Sequence, residues 1–98
     1  MSLCLADQAA RNVQENIELE YARAKERVQL LINAVRSHVQ EKKDFPLEIL
    51  CSDLDTEFVI SQFDAFLKHE SNERNMFIAA AGADGYRIGL VMKENEHV

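Results

Sequence analysis

The apolar positions of the first forty residues recur at helical intervals: Ala10, Val13, Ile17, Tyr21, Ala24, Val28, Leu31 and Val35 follow one another at steps of three and four. Between them stand mostly Ala, Leu, Glu, Gln, Lys and Arg, which lose little side-chain freedom in a helix. No Gly or Pro interrupts the chain before Pro46. The pattern predicts one long helix from about Asp7 to Lys43, with an acid at its electropositive start and Lys42 and Lys43 at its electronegative end. Asp44 to Pro46 closes it, because the residue before a proline is pushed out of the helical region.

Leu47, Ile49 and Cys51 then alternate with Glu48 as in a strand, although Pro46 ahead of them also suits a helical turn; a short strand is the favoured reading. Ser52 and Asp55 approximate a capping box, and Asp53, Asp55 and Glu57 would supply the acids of a first helical turn. Val59, Phe63, Phe66 and Leu67, flanked by Phe58 and Ile60, form the apolar stripe of a second, acidic amphipathic helix that ends near His69. Glu70 to Asn75 reads as a loop.

Asp84-Gly85 lies between two apolar runs and fits a two-residue type I′ turn. Pairing Ala83 with Tyr86 across it sets Ala81 opposite Ile88, Ala79 opposite Leu90 and Phe77 opposite Met92 on one apolar face. A hairpin alone is marginal in water, so this face needs a helix over it. Glu94 to Val98 reads as a loose tail. The expected fold is α+β, a single domain over residues 1–98: a long N-terminal helix within 1–44, a short strand, the acidic helix and a C-terminal hairpin.

A continuous helix of about 37 residues is roughly 55 Å long, whereas a compact chain of this size has a radius of gyration of only about 13 Å. The helix must overhang its own body, and its apolar edge resembles a coiled-coil seam with a stutter between Val13 and Tyr21. Ala10, Val13, Ile17, Tyr21, Ala24 and Val28 are therefore the candidate self-association interface of a two-fold dimer. The competing arrangement breaks the helix near Asn12 to Asn16 and folds it back; the absence of Gly and Pro argues against such a reversal.

Composition narrows the function. With 47% apolar residues the 98-residue chain can collapse, and 17 acids against 11 bases, a formal charge of −6, disfavour a phosphate-gripping surface. Residues 1–44 hold seven acids and seven bases, whereas 45–98 hold ten acids and four bases, so the excess sits in the second half. Asp53, Asp55, Glu57 and Asp64, with Tyr86 and Arg87 at the hairpin tip, form a candidate surface for a basic protein partner. No apolar run approaches the roughly 18 residues that span a bilayer. The isolated Cys4 and Cys51, with no secretory signal pattern, suit a reducing, cytoplasmic setting without a structural disulfide.

Catalytic and metal chemistry find little support. Asp53-x-Asp55-x-Glu57 resembles the start of a calcium loop but has Phe58 and Asp64 where that loop requires Gly and Glu. His38, His69 and His97 are scattered, and Cys51 in its apolar run reads as a core cysteine rather than a nucleophile. No catalytic, metal or cofactor-binding set is assigned, and no cofactor is expected. The residues point to a non-enzymatic, acidic, dimeric protein–protein interaction module, an adaptor, chaperone-like or regulatory protein. One alternative is a small enzyme or enzyme subunit with a pocket across the dimer, joining Asp53 or Asp64 to a histidine. Another is a nucleic-acid-associated regulator using Arg23, Lys25 and Arg27.

Overall fold

The computed structural model describes residues 4–93. Helix α1 spans Leu5–Gln40 without a break, so the fold-back does not occur. Its end is a Schellman motif: Lys43 N–H donates to the His38 carbonyl at 3.1 Å and Lys42 N–H to the Val39 carbonyl at 3.0 Å. Lys42 takes the left-handed position with φ of 58°, which glycine usually fills. The helix therefore stops a few residues before the predicted Lys43, through backbone geometry rather than at Pro46 itself.

Strand β1 (Leu47–Leu50), helix α2 (Glu57–His69), and strands β2 (Asn75–Ala81) and β3 (Gly85–Met92) complete the α+β fold. The sheet is antiparallel in the order β1-β3-β2, so β3 is central and β2 is an edge. Phe58 lies beside Tyr21 and Phe66 beside Arg36, so α2 runs parallel to α1 over the latter's second half. The buried core is small: Leu31 and Val35 of α1, Val59, Phe63 and Leu67 of α2, and Tyr86 and Ile88 of β3. Phe63 meets Tyr86 edge to face at a centroid distance of 5.7 Å, joining α2 to the sheet.

Three local expectations are corrected. The helix foreseen from Ser52 begins only at Glu57, with Thr56 as its N-cap. Ser52 and Asp55 do exchange capping-box-like bonds, Ser52 N–H to Asp55 Oδ2 at 2.9 Å and Asp55 N–H to the Ser52 carbonyl at 3.0 Å. They close a separate turn whose acid is directed at α1. Cys51, expected in the core, is exposed because β1 ends at Leu50.

The hairpin register differs by two residues: Ala81 pairs with Tyr86, Ala79 with Ile88 and Phe77 with Leu90. Gly82 N–H donates to the Gly85 carbonyl at 2.8 Å, so Ala83 and Asp84 form the turn. Neither has positive φ, so it is not type I′. An even slip preserves the faces, and the sheet still turns Phe77, Tyr86 and Ile88 inward. Ala79, Ala81, Leu90 and Met92, on the same face, remain exposed because α2 does not reach over them.

Gly85 is required by its neighbour rather than by the turn. It pairs with Leu50 at φ of 152°, and a Cβ there would fall 2.1 Å from the Ile49 carbonyl oxygen. Gly85→Ala should therefore detach β1 from β3 and cost more than about 1 kcal/mol. Amide exchange should accelerate at the β1–β3 ladder while the β2–β3 ladder stays protected; unchanged exchange in β1 would refute the steric argument.

Candidate interaction surfaces

The stripe predicted along α1 is divided by the rest of the fold. Leu31 and Val35 are buried, and Ala24, Val28 and Ile32 pack against the core. Tyr21 marks the boundary: it touches Phe58 at 5.4 Å between ring centroids yet stays half exposed. Above it every residue from 5 to 20 is exposed, including Ala10, Val13 and Ile17, the last two at 57% and 55%. Those sixteen residues extend about 24 Å past the body. The chain measures 79 × 24 × 23 Å, with a radius of gyration of 19.2 Å.

The junction of rod and body is an ion pair. Arg27 Nε donates to Asp55 Oδ1 at 2.7 Å and its Nη2 to Oδ2 at 3.2 Å, with both side chains largely buried. The same Nη2 also donates to the Leu50 carbonyl at 2.8 Å. One guanidinium thus fixes the turn before α2 and the end of β1 against α1, using the forked geometry that lysine lacks. The Tyr86 hydroxyl is buried beside this pair, facing the Asp55 carboxylate. Burial, then the Asp55 charge, pushes its ionisation up to about 12.

Of the six residues foreseen as a partner surface, Asp55 and Tyr86 are therefore interior groups. Tyr86 covers the sheet beneath α2 rather than the hairpin tip, while Asp53, Glu57, Asp64 and Arg87 are exposed. Glu57, Ile60, Ser61 and Asp64 share one face of α2 and, with Phe63, Ala79, Ala81 and Tyr86, line a groove of about 370 Å³ between α2 and the β2 edge. Glu57 and Asp64 were named from the sequence but not grouped with Ile60 and Ser61; the helical spacing 57, 60, 61, 64 is the signal that could have done so, whereas nothing in it shows that this face overlooks a strand edge.

Within one chain the residues named for the alternatives lie in separate settings. Arg27 is committed to Asp55, Lys25 sits over the Tyr21 ring at 4.6 Å, and Arg23 is exposed. His38 is hydrogen-bonded to the Asp44 carbonyl and stacks edge-on to Phe45; His69 ends α2, and His97 lies outside the described residues. The groove that holds Asp64 contains no histidine. Among the described residues no group of His, Cys, Asp and Glu could hold a metal ion, and no helix is long and apolar enough to cross a membrane.

Burial alone would push the Asp55 carboxyl up, but the Arg27 hydrogen bond, the Ser52 N–H and the Arg27 charge outweigh it and hold it below the usual range. A carboxyl lowered by folding stabilises the fold fully above its unfolded value of about 4, and that contribution is lost as pH falls through the folded value. Asp55→Asn should cost about 2 kcal/mol at pH 7. Denaturant titration should show the gap to the parent shrinking as pH falls below about 4; a constant gap would contradict the ion pair. No family model, curated protein or solved structure matches the chain.

Proposed function

We propose that this chain is a non-enzymatic protein–protein interaction module that works as a homodimer in the cytoplasm, joined through the first half of α1. The observation that carries this reading is the apolar stripe that continues past Tyr21 through Ile17, Val13 and Ala10, which none of the described residues covers. Area points the same way. A compact monomer of 11.2 kDa exposes roughly 5,700 Å², whereas this chain exposes 7815 Å². The excess is larger than the roughly 800 Å² each partner contributes to a standard interface. Side-by-side packing of two α1 halves would bury Val13 and Ile17 against their equivalents and leave the acidic α2 faces outward for a basic partner.

Light scattering on the eluting protein should give twice the 11.2 kDa chain mass, and Val13→Asp with Ile17→Asp should reduce it to a single chain without loosening the Arg27–Asp55 body. A parent that stays monomeric at hundreds of micromolar would overturn the assignment.

A further inference from the structure

We propose that the edge of β2 beside α2 receives an extended segment of a partner protein by strand addition, and that this segment carries an aliphatic residue and a Lys or Arg two positions apart. Among the described residues β2 pairs only with β3, so alternate backbone groups along it face outward. The Gly82–Gly85 hydrogen bond sets the phase: residues 76, 78, 80 and 82 bond inward to β3, and 75, 77, 79 and 81 point away.

Two of the outward N–H groups are closed locally. Asn75 N–H donates to Asn72 Oδ1 at 2.9 Å and Phe77 N–H to Ser71 Oγ at 3.0 Å. From the Phe77 carbonyl to Ala81 no described residue closes the edge, and it lacks the charge, proline and bulge with which edge strands usually block pairing. The block at Ser71 and the opening at Ala79 give an incoming strand a defined stop.

The groove above that open stretch supplies the recognition. In an added antiparallel strand, the residues opposite Ala79 and Ala81 project on the same side as those alanines, toward α2. There they meet Ile60, Phe63 and the Tyr86 ring on the floor and Glu57 and Asp64 on the rim. The small alanines leave the 370 Å³ for the incoming side chains. Among the described residues Asp64 is engaged only by Lys68, 3.1 Å away in a solvent-exposed pair that an incoming cation can replace. A second copy fits less well, since two-fold pairing of β2 with itself would bring Glu57 and Asp64 toward their own equivalents.

The probe is the end-capped peptide Val-Thr-Lys-Thr-Val-Thr-Lys, whose alternate residues put Val and Lys on one face, titrated against the labelled full chain and followed by backbone amide shifts. Shifts should concentrate at Ala79 to Ala81 and along Glu57 to Asp64, and the affinity should fall as salt rises. Ala79→Pro removes an outward N–H without breaking the ladder to β3 and should weaken binding roughly tenfold. The surface pair Glu57→Lys, Asp64→Lys keeps the edge intact; it should abolish binding of the Lys peptide and admit the same peptide with Glu for Lys. Binding should be unchanged in the Val13→Asp, Ile17→Asp protein, which separates this site from the dimer seam. No shift at millimolar peptide, equal binding of both peptides to the charge-reversed pair, or edge shifts that follow protein concentration without peptide would each overturn the proposal; the last would assign the edge to a second copy.

Discussion

A helix can bury only as much of its length as its neighbours can cover, and in this chain the neighbours are short. The 36 residues of α1 extend about 54 Å, while the 13 residues of α2 supply only about 20 Å of cover. The stripe at three- and four-residue steps therefore serves two purposes along one continuous face. Below Tyr21 it is core, closed by Val59, Phe63 and Leu67; above Tyr21 it is surface. The unequal lengths account for the elongated shape, the excess exposed area and the small core together.

The body hangs on this rod through Arg27. Its guanidinium meets a carboxylate from the turn before α2 and a carbonyl from the end of β1, so two segments that are remote from α1 in sequence are fixed at one point. Around that point the sheet is narrow, with β3 alone supplying buried side chains from it. Among the described residues, a narrow sheet beside a short helix leaves both the far end of α1 and the edge of β2 uncovered. The exposed alanines of β2 and the acids of α2 are the local consequence.

Features set by neighbouring residues were legible: the long helix, the stop before Pro46, the β1 alternation, the α2 stripe to His69 and the two faces of the hairpin. Features set by distant residues were not. Asp84-Gly85 carries a strong turn signal, yet Gly85 belongs to the strand because the Ile49 carbonyl needs the space beside it. Ser52 and Asp55 carry a helix-start signal, yet Asp55 turns to Arg27, twenty-eight residues earlier, and the helix waits for Glu57. Tyr86 was placed at an exposed tip because the strand that would bury it, central β3 flanked by β1, cannot be ordered from a linear pattern. The apolar stripe of α1 was read from its spacing, but which of its residues the chain buries itself depends on where α2 ends.

Most helical stability comes from packing of an apolar face rather than from propensity, so the exposed first half of α1 is the segment whose order depends most on company. Amide hydrogen exchange at Ala10 to Ile17, measured over a hundredfold range of protein concentration, tests that dependence directly. If the overhang is covered by a second copy, protection there rises with concentration while that of Leu31 and Val35 stays constant. Exchange at Ala10 to Ile17 that is fast and identical at every concentration would mean that the exposed stripe is left to solvent.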